Sequence, residues 1–322
     1  MDQLESAYDV VVVGGGAAGL NAGLMLGRAR RSVLVVDAGT PRNAPADAVH
    51  GLFAREGTRP AELLERGRHE VRTYGGEVVA GEVVTVERAG DGFAIGLADG
   101  RETRARRLLV TSGLVDELPD VPGLRERWGR DVVHCPYCHG WEVRDRAIGV
   151  VGSNPMAVHG ALLWRQWSDD VVLFRHTAPD LTDDQAEQLA ARGVRVVEEP
   201  IAEVVVENDR IVGVRLADGQ VVAREILAVG TRMVARAGFL AGLGLVPEEH
   251  PTGMGEFVPA DPMGRSSVPG VWLAGNVTEL HAQVGAAAAG GAFAAAQLNM
   301  DLVADDTARA VELRRRQLLA DA

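Results

Sequence analysis

Cysteine is almost missing: two residues in a chain of 322. So few exclude a scaffold held together by disulfides. Aromatic residues are scarce as well, with Phe 6, Trp 5 and Tyr 3. There is no basic run, and 33 basic residues against 45 acidic ones leave a net charge of −12. That balance argues against nucleic acid or an anionic membrane as a partner. Long apolar runs are also absent. Val10–Val13 is too short for a signal core, and Val284–Ala296 is too short and too interrupted by glycine to span a bilayer. The first residues carry Asp2 and Glu5 rather than a basic leader. A cytoplasmic protein is expected.

The excess is glycine, at 39 residues, while 47% hydrophobic and 24% charged residues are ordinary and leave ample material for a core. The length is about twice that of a typical domain, so two domains are expected. Short β-branched runs recur and end in glycine or a polar loop: Asp9–Val13, Val33–Asp37, Leu108–Thr111, Ile148–Val151, Val171–Phe174, Ile226–Val229 and Val271–Ala274. Apolar runs of this length, separated by helix-length segments, suggest buried parallel strands of an α/β fold. Glu77–Asp99 and Ile201–Asp218 each hold alternating strands around a tight turn, and end in the similar Gly96–Gly100 and Arg215–Gly219. Each is followed by an apolar strand and glycine, which points to two copies of one Rossmann-like unit with a β-meander. The last segment, Gly270–Ala322, has no partner in the second copy: a strand, a small-residue helix from about Gln283, then an exposed tail. The chain is therefore expected to return to its first domain, with the second copy inserted.

Gly14-Gly15-Gly16-Ala17-Ala18-Gly19 follows a strand and opens a helical stretch, Leu20–Gly27. Gly14 suits a tight turn, Gly16 the approach of a pyrophosphate, and Gly19 close helix–strand packing. Asp37 ends the next strand 23 residues after Gly14, where a carboxylate can accept from ribose hydroxyls or simply cap a solvated strand end. Strand, loop, helix, strand and acid in that order define a dinucleotide site.

Both cysteines fall in His134-Cys135-Pro136-Tyr137-Cys138-His139. A Cys-x-x-Cys unit permits a reversible small-ring disulfide and a thiolate of lowered pKa. Zinc would require a second cysteine pair, so no metal is expected. Attachment of c-type haem requires export, and a purely structural disulfide does not suit the cytoplasm. Redox catalysis remains.

Together these features resemble the low-molecular-weight thioredoxin reductases, FAD-dependent disulfide oxidoreductases, along essentially the whole chain. The resemblance rests on the glycine loop, Thr111-Ser112-Gly113, the Cys-x-x-Cys, and Gly270-Val271-Trp272-Leu273-Ala274-Gly275-Asn276. It implies the class II pyridine nucleotide-disulfide oxidoreductase architecture: two Rossmann-like three-layer domains, the second inserted into the first. Residues 1–114 and 246–322 would form the FAD domain, and 115–245 the NAD(P)-binding-like domain carrying the cysteines. FAD would contact Gly14, Gly16, Ala17, Ala18, Gly19, Asp37, Ala38, Gly113, Gly275, Asn276, Gln283 and Val284. Cys138 would face the flavin and Cys135 the substrate. A homodimer is also implied.

The departures from the reductases point further. His139 stands where they carry aspartate, and Cys135–Glu142 resembles the branch of dithiol oxidases that close disulfides in natural products such as gliotoxin and holomycin. Arg42–Pro45, His50-Gly51 and Gly57–Pro60 resemble that branch too. A base of near-neutral pKa at 139 suits proton removal from a dithiol, although a helix cap would use the same residue. In the second nucleotide loop, Gly152–Ala157, Asn154 replaces a glycine, and Arg175 is a lone arginine where the reductases cluster several for the NADPH 2′-phosphate. NADPH binding is therefore not expected. Asn276 replaces an aspartate but can still accept from a ribityl hydroxyl. His281 and His50 are either acid–base groups or ordinary loop histidines, whereas His69, His159, His176 and His250 read as structural or solvated. Trp141, Trp164 and Trp167 are expected to pack the middle domain. The leading expectation is an oxidase acting on a small natural-product dithiol and O2. The alternatives are an NADPH-dependent thioredoxin-disulfide reductase and a non-catalytic flavin sensor.

Overall fold

A computed structural model describes residues 4–321, so Asp2, counted in the reading of the leader, lies outside the described residues. The first unit runs β1 (Ala7–Val13), α1 (Ala17–Arg28), β2 (Val33–Asp37), α2 (Pro60–Thr73), β3 (Glu77–Ala80), β4 (Val83–Ala89), β5 (Gly92–Leu97), β6 (Glu102–Val110) and β7 (Leu114–Glu117). Its sheet has the order β3-β2-β1-β6-β5-β4. β3, β2, β1 and β6 run parallel, while β5 and β4 turn back antiparallel. Val10, Val11 and Val12 are fully buried, as apolar residues on both faces of a covered parallel strand must be. Proline stands at the first turn of α2, where its missing N–H removes no helical bond.

The second unit holds β8 (Val132–Val133), α3 (Pro136–His139), β9 (Ile148–Val151), α4 (Ala157–Trp164), β10 (Val171–Phe174), α5 (Asp183–Ala191), β11 (Arg195–Val197), β12 (Ile201–Glu207), β13 (Arg210–Leu216), β14 (Val221–Ala223) and β15 (Ile226–Val229). A parallel sheet, β11-β10-β9-β15-β8, stands beside the meander β12-β13-β14. Thr182 and Gln185 close a reciprocal capping box at the start of α5.

The remainder comprises β16 (Arg232–Ala235), β17 (Glu248–Glu249), β18 (Gly255–Phe257), β19 (Val271–Leu273) and α6 (Val284–Ala320). β16 pairs antiparallel with β7, so the two connections between the units run side by side. β19 joins the first sheet parallel to β6. The core returns to the first unit earlier than the expected 245/246 boundary. Ala235, Ala237, Leu240 and Leu245 are buried with Val11, Phe93 and Leu108, because these apolar side chains close the end of the first core.

α6 also departs from expectation. It runs for 37 residues, so the segment read as a tail is helix, although it is exposed from Thr307 onward. Arg106 ties it down through Asp305 (2.8 Å), and Arg31 through Asp306 (2.7 Å). Its small residues serve contact with α1: a Cβ on Gly291 would lie 2.0 Å from the Ala18 carbonyl oxygen. Among the described residues, no helix is long and apolar enough to cross a membrane.

Candidate active site

A cavity of about 1160 Å³ lies between the units, larger than the roughly 300–1,000 Å³ of an ordinary small-molecule site. It brings together Gly14, Gly16, Ala17, Ala18, Asp37, Ala38, Gly113, Cys135, Cys138, His139, Gly275, Asn276, Gln283 and Val284. Of the residues expected at the site, Gly19 alone is not on the wall. It sits beneath the loop, where a Cβ would lie 1.8 Å from the Gly14 carbonyl oxygen and 2.6 Å from Thr111 Oγ1. Gly14 has φ +110°, which side chains rarely adopt, and a Cβ there would overlap the Thr111 carbonyl.

The loop has the shape and donors for a pyrophosphate. A Cβ on Gly16 would meet nothing within 4 Å, so its backbone faces open space. Gly16 is the N-cap of α1, no side chain caps that end, and no acid occupies the first turn. Unpaired helix N–H groups and the positive dipole end therefore face the cavity. Asp37 accepts from the Gly39 N–H (3.0 Å) and from Arg68 (3.2 Å), which fixes its carboxylate at the rim.

Asn276 is more constrained than its spacing suggests. Its Nδ2 donates to the carbonyls of Glu279 (3.0 Å), Leu280 (3.1 Å) and Ala282 (3.0 Å). An aspartate would meet those carbonyls with negative charge. The amide folds the loop leading into α6 and keeps its own oxygen as an acceptor. These residues fit a flavin dinucleotide: donors at the phosphate turn, an acid at the ribose end, and an amide at the ribityl stretch.

Cys135 and Cys138 form a disulfide with Cα atoms 5.2 Å apart. Cys135 is the N-cap of α3 and Pro136 its first residue, so the proline pre-sets the turn that carries Cys138 and His139. Gly140 lets that turn press on the ring of Trp167, where a Cβ would come within 2.7 Å. Gln283 reaches from the start of α6 to 3.8 Å from Cys135 Sγ. Behind the cysteines, His134 donates from Nδ1 to the Val229 carbonyl (3.1 Å), and burial pushes its pKa down. Burial likewise lowers the pKa of His139, against an opposing pull from Glu142. His139 is thus biased toward the neutral form that accepts protons. His281 lines the cavity with its pKa also lowered by burial, 6.2 Å from the His250 ring.

The sequence reading named Arg42 only within a segment of resemblance and gave it no role, and it missed Asp116 and Thr231. Arg42 grips Asp116 with two hydrogen bonds (2.6 and 2.7 Å), and Thr231 adds a third (2.6 Å). The Arg42 side chain holds the Asp116 carboxyl below its usual range despite burial. No local pattern reveals residues brought together across such separations. Of the tryptophans, Trp164 is buried and Trp167 packs edge-on against it, but Trp141 is 66% exposed under Arg144.

The second nucleotide loop is occupied by its own side chains. Asn154 Oδ1 accepts from the Met156 N–H (2.9 Å), and Ser153 donates to the Gly230 carbonyl (2.6 Å). Arg175 is paired with Glu198 and with Asp180 (3.0 Å). The chain contains no lysine to stand in for it. A 2′-phosphate there would meet two carboxylates.

The chain belongs to the pyridine nucleotide-disulphide oxidoreductase family, whose pattern it matches over residues 8–294. It is similar to thioredoxin reductase tcpT of Claviceps purpurea, 31% identical over 308 residues that cover 92% of this chain and 95% of that protein. It is also similar to thioredoxin reductase sirT of Leptosphaeria maculans, 29% identical over 94% of this chain and 97% of that one. The crystal structure of HlmI superposes with a TM-score of 0.91 at 49% identity, covering 98% of this chain and 99% of that one. The chain is therefore a thioredoxin reductase-like flavoprotein oxidoreductase with FAD as its cofactor.

Proposed function

We propose that this protein is an FAD-dependent dithiol oxidase that closes an intramolecular disulfide in a small natural-product dithiol and reduces O2 to H2O2. The carrying observation is one cavity that joins a dinucleotide loop to a redox disulfide, while Arg175, the lone arginine after β10, is paired with Glu198 and Asp180. The resemblance of Cys135–Glu142 to the dithiol oxidases supports the natural-product branch.

A substrate S–H gives its proton to His139, and the sulfur attacks Cys135 Sγ. The Cys135–Cys138 bond breaks, and Cys138 leaves as a thiolate. The second substrate thiol, deprotonated in turn, attacks the substrate sulfur of the mixed disulfide, and Cys135 leaves. The substrate loses two electrons and two protons, and the protein disulfide gains the electrons. FAD, when bound, supplies a two-electron acceptor for Cys138 that O2 reoxidises with release of H2O2. Tyr137, next to the cysteines, is exposed and lines the cavity.

The test is anaerobic titration of the oxidised holoprotein with a small dithiol and, separately, with NADPH. Bleaching by dithiol, recovery in air with peroxide, and little response to NADPH are expected. Rapid bleaching by NADPH would establish a disulfide reductase instead, as the names of the curated relatives suggest. In Cys135→Ser, turnover should cease with flavin retained.

A further inference from the structure

The loop between β2 and α2 crosses from the first unit to the turn after α3. Its tip is pinned by Val49 and Thr58, which pair as an isolated bridge with Val49 N–H donating to the Thr58 carbonyl (2.8 Å). His50 is thereby held between two carboxylates. Its Nδ1 lies 2.5 Å from Glu56 Oε1, and Glu56 Oε2 accepts from the Gly51 N–H (2.8 Å). Nδ1 faces an acceptor-only carboxylate and so carries the hydrogen. Nε2 then faces Glu142 Oε1 at 3.6 Å, a contact that is attractive only with a proton between the two. Glu142 stands three residues after His139 in a turn that continues as Val143 N–H donates to the His139 carbonyl (3.2 Å), close enough for its charge to act on the ring. His139 Nδ1 is buried and makes no well-formed hydrogen bond among the described residues, although the Cys135 carbonyl lies close enough to the ring to favour its protonated form. A buried imidazole nitrogen left open in this way is a place for a transient proton.

We infer that Glu142, His50 and Glu56 form the proton route of His139, carrying protons between the sulfur site and solvent. The inference rests on the proposed dithiol chemistry, in which His139 accepts the substrate proton. The route leads outward: the His50 side chain is 23% exposed, Glu142 42% and Glu56 66%. Glu142 and His50 are positioning residues, since they act through His139. The charged groups facing His139 are Glu142 and Asp47, which favour its protonated form, and His50, which opposes it.

These opposite influences separate the inference from a merely structural role. Glu142→Gln removes an attractive carboxylate, so the pKa of His139 should fall. His50→Gln removes the ring that opposes a second positive charge at His139, so it should rise. Histidine NMR titration of the oxidised holoprotein should show the His139 signal moving in those opposite directions. The acid limb of the anaerobic dithiol reaction should move to lower pH in Glu142→Gln and to higher pH in His50→Gln. His50→Gln should also slow the reaction by about 10²-fold at low buffer concentration, with added imidazole restoring much of the loss. Equal shifts, no shifts, or no rescue in flavin-replete variants would overturn the route. Should wild-type protein react with no dithiol, the proposed function fails, and the NMR titration still decides whether the three residues are coupled.

Discussion

Asn276 shows how one atom decides a residue's role. The Nδ2 group that organises three carbonyls cannot be supplied by a carboxylate. Asn276→Asp should therefore cost about 1–3 kcal/mol through unmade hydrogen bonds and repulsion, and it should weaken flavin retention. Thermal melting and the flavin-to-protein ratio check it. Gly19 makes the same point sterically. In Gly19→Ala the new Cβ would lie 1.8 Å from a backbone oxygen that cannot swing away. Overpacking of this kind costs about 1–3 kcal/mol, or roughly 5- to 150-fold in FAD affinity if it falls on the loop. Flavin release on dilution would measure it. The glycine loop, Asp37 and the cysteine pair were legible because each is a local pattern with a local reason. Asn276 was legible as a position, but its donor role depends on a loop whose shape no spacing reveals.

At the scale of elements, the β12–β13 turn is fastened to the segment before β8. Asn208 and Asp209 adopt φ of 48° and 58°, and Asp209 pairs with Arg127 (2.6 Å) and Arg130 (2.5 Å). Arg130 and Arg127 together hold the Asp209 carboxyl down to about 2, against an ordinary 3.8. A carboxylate lowered on folding adds stability above its unfolded pKa and loses it as pH falls through the folded value. The melting temperature should thus fall between about pH 4 and pH 2, and less steeply in Asp209→Asn, where asparagine still tolerates the backbone. Most strands follow from their β-branched runs. The length of α6 does not, because ion pairs to Arg31 and Arg106 and the absence of a helix breaker carry it past the last buried residue, Leu302.

For the molecule as a whole, the seam between the units is the site. Gln283 meets Cys135 across it, His50 meets Glu142, and Pro45 presses on Gly129, where a Cβ would lie 2.4 Å from the proline ring. Gly129→Ala combines that clash with φ +81°, at about 1–3 kcal/mol for the backbone alone. It should free the 39–59 loop, seen as faster proteolytic cleavage there with the sheets intact.

The two glycine-edged strand sets, the dinucleotide loop and the Cys-x-x-Cys pair can be read along the chain, since apolar runs and short-range backbone geometry act among near neighbours. Folding alone brings Arg42 to Asp116 across 74 residues, Thr231 to the same carboxylate across 115, and Arg175 to Glu198 and Asp180. Electrostatic pairing acts through space at a few ångströms. It is fixed only when the chain has closed on itself.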